Sequence, residues 1–310
     1  MTLAEAMITR VKFILRYPQE KPAAILRTRI SSKKILVAPG VFSPVIARLA
    51  QDLGFEGLYF SGGGFANLLS LPDLGVTTLT EVADAVRHIT SVVSLPVIVD
   101  IDTGFGETVN VARTVRDMEA AGAAAVHVED QIMPKRCGHL AGKQLVNVAE
   151  MVKKIITAKE SSQMVIIART DARGVEGFDS AIERARAYVR AGAEIIFPEA
   201  LESKDEFAEF ARKIRAPLLA NMTEFGKTPY MTASEFELLG YRIVIFPLTA
   251  FRAMLFAVRQ TLRELKRSGT QKTMLGKMMS RDELYRLIDY YSYADLDKQV
   301  MSVSRKLLKR

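Results

Sequence analysis

One pattern constrains this chain more than any other. From residue 35 onward, a short β-rich apolar run ends in polar or glycine residues, an amphipathic stretch follows, and the unit recurs. The runs are ILVAPG (35–40), GLYFSGGG (57–64), PVIVDIDTG (96–104), AAVHVED (124–130), VIIARTD (165–171), EIIFPEA (194–200), PLLANMT (217–223) and IVIFPLT (243–249). Ala121-Gly122, Ala191-Gly192 and Leu239-Gly240 precede three of them, and glycine after a helix is a common C-terminal stop because it accepts positive φ. Strand–helix alternation implies right-handed βαβ units on a parallel sheet, and eight near-continuous apolar strands predict a closed (β/α)8 TIM-type barrel in the α/β class. The expected organisation is a single barrel domain over 1–310, with an N-terminal helical lead-in and residues 251–310 as a C-terminal helical extension.

Polar residues gather at the C-terminal ends of the strands, where barrel enzymes build their sites. Asp100 and Asp102, two apart in DIDTGFG, are expected to point the same way by strand alternation. Two like charges aimed at one point become favourable around a hard cation, and Mg2+ suits a site of one or two carboxylates. Alone the pair also fits a helix cap or lysine partners. Glu129 and Asp130 one strand later, and Glu199 two strands beyond that, strengthen the metal reading. The SGGG after Tyr59 is either a mobile turn or a cradle of backbone N–H groups for a carboxylate or phosphate. Tyr59 and Ser61 share a face, Arg169 matches a carboxylate or an internal salt bridge, and Asn221 and Thr223 add neutral donors.

The only cysteine, Cys137, lies in PKRCGH on a predicted loop after the fourth strand. A single cysteine excludes an internal disulfide, and one Cys with one nearby His falls short of a zinc site. Lys135, Arg136 and His139 are expected to bring its thiol pKa down toward neutrality. GHLAGK before Gln144 lacks the first glycine and the Ser/Thr of a P-loop, and TGFGET lacks the last glycine of a dinucleotide fingerprint.

The formal net charge of +8 sits wholly in residues 251–310, with 14 Lys+Arg against 6 Asp+Glu, leaving 29 of each elsewhere. Helical spacing there favours a solvated face over a nucleic-acid footprint. No apolar run reaches the ~20 residues of a membrane span, and the first twenty residues lack a secretory apolar core, so the cytoplasm is the expected compartment, with no membrane and no nucleic-acid partner.

The motifs YFSGGG, LPDLG, DIDTGFG, HVEDQ, KRCGH, ARTDA, FPEA, NMTEFGKTP, FPLTAFRAM, GTQK and SRDELY resemble those of the isocitrate lyase / phosphoenolpyruvate mutase superfamily, from about residue 30 to the end. The resemblance implies a (β/α)8 barrel with a last helix exchanged between subunits, a homotetramer, and Mg2+, for which Mn2+ can substitute. By that likeness Asp100 and Asp102 hold the metal, directly or through water, and Ser61, Gly62 and Gly63 bind the 2-oxo-acid half of a small tricarboxylate, with Arg169 bridging and Glu199 near the metal. Gly138, Asn221 and Thr223 hold the succinate half, Arg252 and Arg281 match further substrate contacts, Cys137 matches the catalytic cysteine, and Tyr59 is a candidate base. The implied activity is retro-aldol C–C cleavage of methylisocitrate to pyruvate and succinate, with isocitrate as a second substrate. The stretch PKRCGHLAGKQLV also resembles relatives that cleave oxaloacetate or a dimethylmalate.

Overall fold

The computed structural model describes residues 21–308, which divide into two compact units, one ending at Ala257 and one beginning at Val258. The first unit opens with helix α1 (Pro22–Ser31) and then alternates strands and helices. Its strands are β1 (Leu36–Val41), β2 (Leu58–Phe60), β3 (Val97–Asp100), β4 (Ala125–Glu129), β5 (Val165–Thr170), β6 (Ile195–Pro198), β7 (Leu219–Asn221) and β8 (Ile243–Phe246). The helices between them are α2 (Pro44–Asp52), α3 (Gly62–Leu68), α4 (Leu79–Thr90), α5 (Thr108–Ala120), α6 (Val148–Ser161), α7 (Phe178–Arg190), α8 (Lys204–Lys213) and α9 (Ala233–Leu238). Every expected apolar run contains a strand.

All pairings are parallel, in the order β6-β5-β4-β3-β2-β1-β8-β7. The ring closes through a single parallel bridge, Ile196 to Leu218, with the Ile196 amide donating to the Pro217 carbonyl at 3.0 Å. Two apolar layers result from strands buried on both faces. Leu36, Ala38, Ile98, Val165, Ile167, Ile195, Leu219 and Ile243 fill the barrel, and Leu26 and Ile30 of α1 join that same cluster. The outer layer packs residues such as Val86, Val115, Met151, Tyr188 and Phe210 of the helices against the other side of the strands. The three predicted helix stops hold: Gly122, Gly192 and Gly240 have φ of 87°, 102° and 93°.

Helix α10 (Thr249–Ser268) crosses the boundary between the units at Ala257/Val258. The second unit continues with α11 (Arg281–Leu287) and α12 (Tyr290–Leu308). Ser280 and Glu283 form a capping box that starts α11, and Arg281 is an exposed residue of its first turn. Among the described residues, no helix is long and apolar enough to cross a membrane.

Candidate active site

The glycine run after β2 is a helix start rather than a mobile turn. Ser61 caps α3 by accepting from the Gly64 amide at 3.1 Å, and the Gly62 amide donates to Asp100 Oδ2 at 3.0 Å. Glycine is needed here for space: a Cβ on Gly62 would lie 3.1 Å from Asp100 Oδ2 and 3.3 Å from Asp102 Oδ1, and one on Gly63 would lie 2.8 Å from Asp73 Oδ2.

Asp100 and Asp102 do converge, but strand alternation is not the cause. β3 ends at Asp100, and Asp102 lies in the turn beyond with φ of 48°, its amide donating to Asp100 Oδ1 at 3.0 Å. The turn brings both carboxylates over Gly62. Lys135, from the cysteine loop, is ion-paired with Asp73 and sits 2.8 Å from Asp102 Oδ1. The pair is split electrostatically. Burial, reinforced by Asp100, pushes Asp102 up to about 6 against the pull of Lys135. Asp100 stays below the usual range because His127, Lys135 and Arg169 outweigh its burial.

Both Glu129 oxygens are buried without a hydrogen-bond donor, the Arg169 Nε at 3.3 Å from Oε2 being off hydrogen-bonding geometry, and Asp102 Oδ1 is met only by the Lys135 ammonium. Burial pushes the Glu129 carboxyl well above its ordinary range. Among the described residues no three His, Cys, Asp or Glu side chains form a ready-made metal cage. Buried acceptors without donors nevertheless fit a divalent cation of the Mg2+ type, which binds through one or two carboxylates and keeps waters. Asp130 differs from the expectation: it turns away from the mouth and accepts from Thr170 Oγ1 (2.8 Å), the Asp171 amide (2.9 Å) and Tyr188 Oη (2.8 Å).

Tyr59, from inside the barrel, lies 2.7 Å from His127 Nε2, which is itself 3.4 Å from Asp100 Oδ1. Burial lowers His127 to about 4, so the imidazole is neutral at pH 7. Burial and then Asp100 push the Tyr59 phenol well above its usual range, so at rest it keeps its proton, in a hydrogen bond with His127 Nε2.

Across the mouth, Arg169 lies over the Phe197 ring and clamps Asp171 with two bonds, Nε to Oδ2 at 2.9 Å and Nη2 to Oδ1 at 3.1 Å. The internal salt bridge anticipated for Arg169 therefore exists. Glu199 gathers the Asn221 amide (3.3 Å), His139 Nε2 (3.0 Å) and Arg169 Nη1 (3.5 Å). Burial alone would raise Glu199, but Arg169 and His139 overcome it and hold the carboxyl at about 2. The Lys227 amide donates to His139 Nδ1 at 3.0 Å, which leaves the ring proton on Nε2 facing Glu199. Thr223 is buried just past β7, and Arg252 of α10 reaches the adjacent Glu224, with Nη1 2.8 Å from both its carbonyl and Oε2. Arg281 belongs to the second unit and is described only there.

The cysteine loop is stapled at its base by a bridge between Gln131 and Leu145, and the Gln131 side chain bonds the Arg136 backbone twice at 2.9 Å. It is folded down onto the mouth: a Cβ on Gly138 would lie 2.3 Å from Glu199 Cγ and 2.7 Å from Arg169 Nη2. The expected lowering of the Cys137 pKa does not occur. Burial pushes the thiol up and outweighs the hydrogen bond from the His139 backbone and the pull of Arg169, with Glu199 and Asp73 adding to the rise. Of the neighbouring cations, Lys135 is spent on Asp73 and Asp102, and Arg136 faces the Ala141 carbonyl. Cys137 is thus a proton-bearing thiol.

Asp73, His127 and Asp171 carry no assigned role in the sequence reading, and Lys135 and His139 enter it only as neighbours of the thiol. All five lie in the quoted motifs, but nothing local shows that Asp73 meets Lys135 from 62 residues away.

The barrel, the carboxylate-lined mouth and the seated thiol loop define a class. The sequence pattern described as phosphoenolpyruvate phosphomutase matches residues 26–266, and the chain belongs to that family. Within it, the chain is 56% identical to 2-methylisocitrate lyase of Aeropyrum pernix, covering 96% of this chain and 97% of the relative. Its identity to the 2-methylisocitrate lyase of Bacillus subtilis is 48%, over 91% and 94% of the two chains. Among solved structures it resembles 2,3-dimethylmalate lyase (TM-score 0.86, 37% identity, 91% and 96% covered). It also resembles phosphonopyruvate hydrolase, solved in complex with oxalate and Mg2+ (TM-score 0.80, 30% identity, 93% and 100% covered).

Proposed function

We propose that this protein is a carbon–carbon lyase that cleaves 2-methylisocitrate to pyruvate and succinate, using a divalent cation, Mg2+ or in its place Mn2+. The observation that carries the reading is the protonated Cys137 thiol, held over a mouth where Asp100, Asp102 and the donor-free Glu129 gather, in a chain 56% identical to a 2-methylisocitrate lyase over nearly its full length. Asp100 and Asp102 would hold the cation, directly or through water. When bound, it supplies Lewis-acid stabilisation of developing oxygen charge.

The residues then divide the work. Ser61, Gly62, Gly63 and Arg169 bind the 2-oxo-acid half, with Glu199 beside it, while Gly138, Asn221 and Thr223 hold the succinate half. Arg252 and Arg281 are assigned to further substrate carboxylate contacts. The substrate hydroxyl loses its proton to Tyr59 as Tyr59 passes its own to His127 Nε2, 2.7 Å away, so no free phenolate has to form. The C–C bond breaks, its oxygen-bound carbon becomes the carbonyl of pyruvate, and the electron pair moves into the other fragment as an aci-carboxylate. Cys137 delivers its proton to that carbon, giving succinate, and the thiolate recovers a proton from the hydroxyl-derived pool or solvent. A raised thiol pKa suits this task, because the resting group must be protonated and its conjugate base must be readily reprotonated.

A panel of methylisocitrate, isocitrate, 2,3-dimethylmalate and oxaloacetate, assayed with Mg2+, tests the reading. Methylisocitrate should give the highest kcat/KM, with measurable isocitrate cleavage, since one methyl is worth only about 1–3 kcal/mol in a pocket. A clear preference for dimethylmalate would move the assignment to the activity named for its solved relative. Cys137→Ser should lower kcat roughly a hundred- to ten-thousand-fold with folding unchanged; full turnover in that variant would remove Cys137 from the mechanism.

A further inference from the structure

The GHLAGK segment is no P-loop, yet its lysine is one of the most enclosed cations of the barrel. The Lys143 side chain is 2% exposed. Its Nζ donates to the Gly138 carbonyl, within its own loop, and to Asp171 Oδ1 at 3.1 Å, on the barrel just past β5. The space around it is closed, since a Cβ on Gly174 would lie 3.4 Å from Nζ. Asp171 is fully buried and is the same carboxylate that clamps Arg169. Its backbone is in turn fixed by Asp130, which ties to Tyr188 and Arg184 of α7.

We propose that Lys143 is a positioning residue that seats the Cys137 loop, tying the Gly138 carbonyl to Asp171 and so coupling loop closure to Arg169. Gly138 directly follows the thiol, so fixing its carbonyl fixes the position of Sγ above the mouth. The same atom of Asp171, Oδ1, receives both Lys143 Nζ and Arg169 Nη2, so a shift of Arg169 is felt at the loop and a lifted loop leaves Asp171 to Arg169 alone. The loop's other ammonium, Lys135, is held by Asp73 and by Asp102, which follows β3 on the other flank of β4. Two lysines of one loop thus grip the rim on either flank of β4, the strand the loop follows. The role assigned to Lys143 rests on the lyase reading only in giving Cys137 its chemical purpose; the seating itself is independent of substrate.

The chain has one cysteine, so alkylation by iodoacetamide, followed by intact mass, reports Cys137 alone. Lys143→Met should speed alkylation about tenfold, the loss expected when a charge-assisted buried bond holds the seated state. Lys143→Gln, which can still donate to one carbonyl, should fall between. Both should keep the parent melting temperature to within a few degrees, lower kcat, and change KM less than kcat. Should Lys143→Met not fold, the Lys143→Gln alkylation rate decides. Alkylation at the parent rate in a folded variant overturns the proposal whatever the activity. An absence of lyase activity in the parent protein overturns the functional reading and leaves the alkylation result to decide the latch.

Discussion

At the residue scale, burial sets the chemistry more than sequence neighbours do. Cys137 lies among Lys135, Arg136 and His139, yet its thiol is raised, because tertiary partners consume or redirect those cations while desolvation acts in full. Asp102 is the mirror case among the carboxylates, raised to about 6 by burial and by Asp100. Its sign follows from linkage: the unfolded chain ionises Asp102 first, so stability falls as pH rises between about 4 and 6, by up to about 3 kcal/mol. Asp102→Asn removes that loss. In EDTA, urea denaturation should find the variant gaining on the parent as pH rises from 4 to 7; a flat difference would refute the shift. Added Mg2+ at pH 7 should stabilise the parent and leave the variant unmoved, since a cation that binds only the folded state raises its stability by mass action.

At the scale of elements, each segment does a different job from the one its composition suggests. Three consecutive glycines begin helix α3, and the first two are pressed by Asp100, Asp102 and Asp73, which leave little room for side chains. The loop from Gln131 to Leu145 has no regular structure between its ends, yet its bridge, its two lysines and Gly138 hold it in one place. Gly138→Ala tests that seating sterically, because its Cβ would meet Glu199 and Arg169 inside van der Waals contact. The loop must lift, and displacing the acid by about 1 Å is enough to lower kcat about a hundredfold. The melting temperature should hardly move, since the loop meets the outer core only at its base, through Leu145; steady-state kinetics beside a thermal melt separates the two.

At the scale of the whole molecule, the barrel unit carries the candidate catalytic groups at its strand ends and on the loop after β4, while α11 and α12 display a different character. Tyr290, Tyr291, Tyr293, Val300 and Met301 are exposed on α12, and Tyr285 stacks on Tyr290 with ring centroids 4.3 Å apart. We read residues 251–310 as an extension of the barrel domain that serves assembly, with the last helix exchanged between subunits of a homotetramer. Sedimentation equilibrium should therefore find a tetramer, and a chain lacking residues 290–310 should fall to a smaller species; a monomeric full-length protein would overturn this reading.

Sequence alone was enough for the eight strands, the parallel barrel and the rim on which the chemistry sits, because those follow from local periodicity: apolar runs of strand length, glycine stops, and polar residues at one end of each run. It also marked Asp100, Asp102, Arg169, Glu199 and Cys137 as candidate chemistry. What only tertiary structure decided is how these groups act on one another. The pairing of Lys135 with Asp73, the turning away of Asp130 toward α7, the contact of His139 with Glu199 and the rise rather than fall of the Cys137 pKa join residues distant in the chain. Electrostatic energies depend on separation through space and on exclusion of water, and neither is encoded in neighbouring letters.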